Sequence, residues 1–413
     1  MPAGPIDILI SAGEASGDLY ASTLVTHLKS LLPQARFFGC AGPRMQAAGV
    51  EPVIDAAKLG VVGLVEVVRH IPEIYGEYRK LLREAARRRP VLAIVTDSPD
   101  FHLRVAAQLH RRHIPVHYLI APQVWAWRTG RVHTMRRHLE ALYCIFPFEE
   151  AFFRKHGVPV HYIGHPLKRL VKPSLSREEF CARHALPLDR PLVTLLPGSR
   201  RGEIGRHLPV LAGSLPLIAA RRPATFLLAA PPEGLSRFGE PFFTQPFRAA
   251  SIQKNKENHS GPGADTVPRV VEGQTWDAIA HADLVLAASG TVTMEAALLG
   301  TPMVTYYRVT GLSWWLGRFL VDVPFYTMVN LIAEERLVPE LIQNEMTAEN
   351  LAREALRLLE NPDEALRMRQ RLARVSASLD TGRDPLALAA EWIARRIGSG
   401  TNESRWPGAG VAQ

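Results

Sequence analysis

Twice in its second half this chain runs a short apolar strand into a glycine loop and then into a helix. Pro191 to Leu196 leads into Pro197-Gly198-Ser199-Arg200-Arg201-Gly202-Glu203, and Leu284 to Ala288 leads into Ser289-Gly290-Thr291-Val292-Thr293-Met294-Glu295. Glycine lets backbone approach a ligand closely. The free N–H groups and positive dipole end of a helix suit a phosphate. Two such loops in one domain predict a diphosphate held between them. Neither fits G-x-x-x-x-G-K-[ST], so the P-loop class is excluded.

The same alternation fills the first half. Ile6 to Ile10, Arg36 to Cys40, Val91 to Thr96, Val116 to Ile120, Ala141 to Phe146 and Val160 to Ile163 read as buried strands, with helical stretches between several of them. Short apolar strands alternating with helices predict parallel sheets. A chain of 413 residues exceeds one ordinary core, so two domains are expected. The expectation is an α/β protein of two Rossmann-like domains facing across a cleft, with ligands at the carboxyl ends of the strands. The first domain spans residues 1–167 and the second 168–347. C-terminal helices cover 348–397, the last packing back on the first domain, and 398–413 form a disordered tail. Pro231 to Pro268 carries Pro, Gly, Ser, Asn and Lys with few aliphatic residues, so much of it reads as a mobile surface loop.

Composition narrows the chemistry. Cys40, Cys144 and Cys181 form no C-x-x-C, which argues against a disulfide framework or a zinc site. No D-x-D pair, no H-E-x-x-H and no convincing ligand spacing among the fifteen histidines is present. No metal and no cofactor are expected. The formal net charge of +9 suits an anionic substrate or an anionic membrane surface. No RNP, zinc-finger or KH motif supports nucleic acid. The start, Met1-Pro2-Ala3-Gly4-Pro5, lacks the features of a secretory signal, and no apolar run reaches membrane-spanning length. A cytoplasmic location is the expectation.

Several residues can carry chemistry. Asp97 follows the strand Val91 to Thr96 directly and is the candidate base for an attacking hydroxyl. Asp100 sits in the first turn of the next helix, where capping accounts for it. Glu14, Ser16 and Asp18, after the first strand, can contact a sugar or a phosphate, or can serve a tight turn with Ser16 or Asp18 as helix cap. Gln123-Val124-Trp125-Ala126-Trp127-Arg128 follows another strand and can line a site for an anionic, sugar-like or apolar substrate. In the second half, Ser199 and Thr291 can donate to phosphate oxygens and Arg200 can neutralise them. Glu295 can accept from a ribose. Two aliphatic segments, Val61 to Ile71 and Trp314 to Leu320, read either as buried helices or as membrane-touching faces. Arg79, Lys80, Arg83, Arg87, Arg88 and Arg89 lie near the first,.

Taken in order, several motifs resemble the lipid-A-disaccharide synthase family. In the first half these are Ser11 to Asp18, Ala41 to Met45, Asp97-Ser98-Pro99-Asp100-Phe101, Pro122 to Arg128 and Gly164-His165-Pro166. In the second they are Leu196 to Arg200, Ala288-Ser289-Gly290-Thr291 and Val329-Asn330-Leu331. The resemblance runs to about residue 397. It implies a metal-independent inverting glycosyltransferase of the GT-B type. The enzyme would join UDP-2,3-diacylglucosamine to 2,3-diacylglucosamine 1-phosphate and release UDP, at the inner face of the cytoplasmic membrane. It implies Asp97 as base. Glu14, Ser16, Gln123, Trp127 and Arg128 would face the acceptor. The nucleotide would lie near Ser199, Arg200, Glu203, Ser289, Gly290, Thr291, Glu295 and Asn330. Monomer and homodimer both stay open. The alternatives are another enzyme on this architecture, such as a UDP-sugar epimerase or a murein-precursor glycosyltransferase, and a non-catalytic nucleotide-binding module at a membrane surface.

Overall fold

The computed structural model describes residues 5–56, 64–126, 129–231, 234–257, 266–309 and 323–399, with backbone alone at 64–71 and 251–257. The segments 61–63 and 314–320, and the side chains of 64–71, lie outside the described residues. The chain divides into two compact units, residues 1–166 with 381–413, and residues 167–380.

In the first unit the chain runs β1 (Ile6–Ser11), α1 (Ala15–Leu31), β2 (Ala35–Ala41), α2 (Pro43–Ala47), β3 (Val50–Asp55), α3 (Leu64–Arg88) and β4 (Leu92–Thr96). It continues through α4 (Pro99–His110), β5 (Val116–Leu119), α5 (Arg131–His138), β6 (Ala141–Cys144), α6 (Pro147–Lys155) and β7 (Val160–Tyr162). The strands form one parallel sheet in the order β3-β2-β1-β4-β5-β6-β7. β1 and β4 pair with Ile8 opposite Leu92 and Ser11 opposite Val95. Both are buried on both faces, as helix-covered parallel strands must be,.

In the second unit α7 (Leu167–Leu170) and α8 (Arg177–Arg183) precede β8 (Leu192–Leu196), α9 (Arg201–Arg221), β9 (Thr225–Ala230), α10 (Gly234–Phe238) and α11 (Glu240–Glu257). Then come β10 (Arg269–Glu272), α12 (Thr275–Ala280), β11 (Leu284–Ala288), α13 (Thr291–Leu298), β12 (Met303–Tyr307), α14 (Met328–Ala333), β13 (Glu340–Ile342), α15 (Ala348–Glu360) and α16 (Pro362–Ser378). The sheet order is β10-β9-β8-β11-β12-β13, again parallel. After α16 the chain returns to the first unit as α17 (Pro385–Gly398). There Arg396 donates to both carboxylate oxygens of Glu140 at 2.6 and 3.0 Å, and Trp392 stacks on Tyr143.

One expectation is corrected. Much of 231–268 is helical, in α10 and α11, rather than a mobile loop. Phe243 and Phe247 are buried, one turn apart on α11, and supply the apolar face that the scarce aliphatic residues do not. Arg201 of α9 lies over the rings of Phe238 and Phe242. Residues 258–265 lie outside the described set.

In each sheet the strand order reverses once, between β1 and β4 and between β8 and β11. Such a switch point opens a crevice beyond the carboxyl ends of the strands. The loops singled out by sequence, after β1, β4, β8 and β11, emerge at these two points.

Candidate functional site

In the first unit the loops after β1 and β4 meet around Asp97. Its Oδ1 accepts from Gly13 N at 2.9 Å, and Oδ2 accepts from Gly13 N and Glu14 N at 3.1 and 3.0 Å. Asp97 and Ser98 both have left-handed backbone, with φ of 52° and 37°, which is uncommon for residues with a side chain. Two side chains hold that conformation from beneath. His102 Nδ1 lies 3.0 Å from the Asp97 carbonyl oxygen, and Tyr118 OH donates to the same oxygen at 2.5 Å. The other ring nitrogen of His102 lies 2.7 Å from Ser11 Oγ. His102 is fully buried, and burial pushes its pKa down to about 4. The neutral ring therefore donates from Nδ1 and accepts from Ser11.

The carboxyl of Asp97 is 11% exposed. Burial, then the nearby Glu14 carboxylate, push its pKa up to about 8, against the pull of the Gly13 and Glu14 N–H groups and the Ser98 hydroxyl. An aspartate so placed is a stronger base than one in water. Asp100 is mostly exposed and pairs with Arg131.

In the second unit the loops after β8 and β11 lie at the other switch point. Gly198 has φ of +117°, a conformation glycine adopts without strain. Glu203 is buried and folds back under this loop, its Oε2 accepting from Ser199 N at 3.2 Å. Ser199, Gly290 and Thr291 are exposed, and Arg200, Ser289 and Glu295 are half-buried. The open rim is thus hydroxyl, glycine and guanidinium, beside the N-termini of α9 and α13. A third loop flanks it, since Ser289 Oγ reaches the Tyr326 carbonyl oxygen at 3.5 Å. Buried Glu340 holds that loop, accepting from Tyr326 N, Thr327 N and Thr327 Oγ1.

A family model for lipid-A-disaccharide synthetase matches residues 8–385, a span that contains all of these loops. The chain belongs to this family. A lipid-A-disaccharide synthase of Solibacter usitatus (strain Ellin6076) is 58% identical over 373 residues, 90% of this chain and 92% of that protein. Among solved structures, the UDP-GlcNAc 2-epimerase of Neisseria meningitidis bound to UDP-GlcNAc aligns with a TM-score of 0.60 at 12% identity, covering 95% of this chain and 100% of that one. The calicheamicin glycosyltransferase CalG4 aligns at 0.57 and 15% identity, covering 96% and 99%. At such identities these two likenesses speak for the shared fold alone. That fold is the GT-B type, two parallel-sheet α/β units.

The lipid-A-disaccharide synthetase family motifs do not all stand in the open. Glu14 is exposed beside Asp97 and Ser16 is half-buried in the same turn; Gln123 is exposed after β5. Trp127 and Arg128 lie outside the described residues. Asn330 is fully buried on α14, with Nδ2 donating to Val338 O and Oδ1 accepting from Val338 N, both at 2.9 Å. Like Glu203, it stands behind a loop rather than on the rim. Trp125 donates from its ring nitrogen to buried Glu149 at 3.1 Å and packs edge-on against Phe148. Asp18 neither caps its own helix nor faces outward. It accepts from Arg44 N and Met45 N, the first turn of α2. Sequence reasoning missed His102, Tyr118 and Glu340, whose roles rest on partners distant in the chain. Only Glu340 carried a local signal, an acidic residue in the otherwise apolar stretch Leu337 to Ile342.

Proposed function

We propose that this chain condenses UDP-2,3-diacylglucosamine with 2,3-diacylglucosamine 1-phosphate, giving lipid A disaccharide 1-phosphate and UDP. The observation that carries the reading is a family match spanning both glycine loops and an aspartate held rigidly at the first switch point. Asp97 takes the proton of the acceptor 6-hydroxyl, which attacks the donor anomeric carbon from the face opposite UDP, with inversion. Glu14, Ser16, Gln123, Trp127 and Arg128 orient the acceptor. Arg200 and the helix N-termini at Ser199 and Thr291 stabilise the charge on departing UDP, and Glu295 binds its ribose. Glu203 and Asn330 shape the loops. The direct test mixes the purified chain with both sugars and follows UDP. Release should need both substrates and persist in EDTA. Release from the donor alone, or a requirement for magnesium, would contradict this mechanism.

Arg200→Ala and Glu295→Ala should each weaken UDP binding by roughly tenfold, the loss of one charge-assisted contact. Calorimetry reads the dissociation constant. Unchanged values in folded variants would place the nucleotide elsewhere.

Only ionised Asp97 can accept a proton, so kcat/KM for the acceptor should rise as pH climbs through about 8,. A profile without an acid limb in that region would remove Asp97 as base. Stability should move the opposite way. The folded state holds this proton more tightly than the unfolded chain, so the contribution is fully present below the ordinary aspartate pKa. It is lost as pH rises through about 8,.

We further propose peripheral attachment to the inner face of the cytoplasmic membrane, because both substrates are acylated. Among the described residues no helix is long and apolar enough to cross a membrane. Arg79, Lys80 and Arg83 of α3 are exposed, whereas Arg87 and Arg88 pair with Glu84 and Glu51. Cations near an anionic surface contribute about 1 kcal/mol each. Co-sedimentation with anionic vesicles should therefore fall with added salt, and fall again in Arg79→Gln/Lys80→Gln/Arg83→Gln. Equal binding by that variant would put the contact elsewhere.

A further inference from the structure

We propose that His207 is a positioning residue for the nucleotide site, its ring bridging β8 and β12 and so holding the two glycine loops at one separation. This rests on the reading of those loops as the UDP site. β11, which ends in Ser289-Gly290-Thr291, lies between β8 and β12 in the sheet. Strands two places apart are separated by about 9–10 Å, too far for a direct backbone hydrogen bond. An imidazole with a donor at one end and an acceptor at the other can span the gap.

His207 is fully buried in the second turn of α9. Its Nδ1 lies 2.8 Å from the carbonyl oxygen of Pro197, which can only accept. Its Nε2 lies 3.2 Å from Arg308 N, which can only donate. Both bonds together require the neutral ring with its proton on Nδ1. Burial lowers the pKa and keeps the ring neutral. The groups around it are Glu203 and Arg206 of its own helix, Tyr306 and Tyr307 of β12, and the Arg308 backbone.

Both anchor points are fixed. Pro197 opens the first loop, directly before Gly198 and Ser199. Arg308 is held by Arg206, whose Nε donates to its carbonyl oxygen at 3.3 Å, and by its own guanidinium, which donates to Gln343 O at 3.3 and 3.2 Å. A second link crosses the same gap, because Tyr306 OH donates to Leu196 O at 2.9 Å. A buried polar ring with either bond unmade carries a desolvation cost that an apolar side chain avoids. The bridging geometry is what distinguishes His207 from a core filler.

The test measures UDP affinity, thermal unfolding and the KM of each sugar for wild type, His207→Asn, His207→Gln and Tyr306→Phe. Asparagine can reproduce only the Nδ1 donor, and glutamine only the Nε2 acceptor. Each folded variant should bind UDP roughly tenfold more weakly. Donor KM should rise in step while acceptor KM stays unchanged. Lower melting temperatures with UDP affinity and donor KM unchanged would overturn the proposal, leaving His207 purely structural. Wild type that fails to bind UDP would instead remove the underlying assignment. If the variants do not fold, the ring-nitrogen chemical shifts of the intact protein decide. Protonated Nδ1, bare Nε2 and shifts that move on saturation with UDP are expected. A protonated Nε2, or shifts unmoved by UDP, would overturn it.

Discussion

Asp97→Asn should lose about 10²–10⁴-fold in turnover while UDP affinity stays at the wild-type value. The two readouts separate because the residues lie in different units, Asp97 in the first and the loops proposed to bind UDP in the second. The amide is nearly the shape of the carboxyl and can still accept from the Gly13 or Glu14 N–H that grip it. It cannot take a proton from an alcohol. Steady-state turnover with calorimetric UDP binding on the same preparation checks both halves. Near-wild-type turnover would sink the base assignment. A parallel loss of UDP binding would mean the substitution had damaged more than the base.

Gly17→Ala should be as damaging, although nothing at position 17 does chemistry. A Cβ built there lies 1.8 Å from Asp97 Oδ2 and 3.2 Å from Thr96 Cγ2. The carboxylate cannot step aside without leaving its two N–H donors and the αL backbone that His102 and Tyr118 hold. Glycine to alanine inside a helix ordinarily stabilises by about 1 kcal/mol. Here overpacking should reverse the sign and cost about 1–3 kcal/mol, with turnover falling into the Asp97→Asn range. Gly205→Ala on α9 is the control, since an added Cβ there meets nothing within 4 Å. It should leave stability unchanged or raise it. If Gly17→Ala unfolds like that control and turns over like wild type, Asp97 is not held as the structure describes.

These effects mark the line between what the chain shows locally and what it does not. The strands, the glycine loops and the position of Asp97 at a strand end were all legible, because apolar runs and loop glycines are properties of neighbouring residues. The helices in 231–257 were not, because their buried face is made of phenylalanines and gains meaning only against α9. The capping role of Asp18 was equally hidden, its partners being Arg44 and Met45.

The sequence by itself determined the class of fold, the repeated alternation of strand, loop and helix, and the residue types on each loop. It also determined the family, through motifs kept in order. Only the tertiary structure decided which loops share a crevice. Strand order is set by pairing between distant segments, such as β1 with β4 and β8 with β11, and no local pattern encodes it. The same long-range packing placed Gly13 and Gly17 against Asp97. It also buried Glu203 and Asn330, and a buried polar side chain must find hydrogen bonds, which these two make to backbone nearby in the chain, at Ser199 and at Val338.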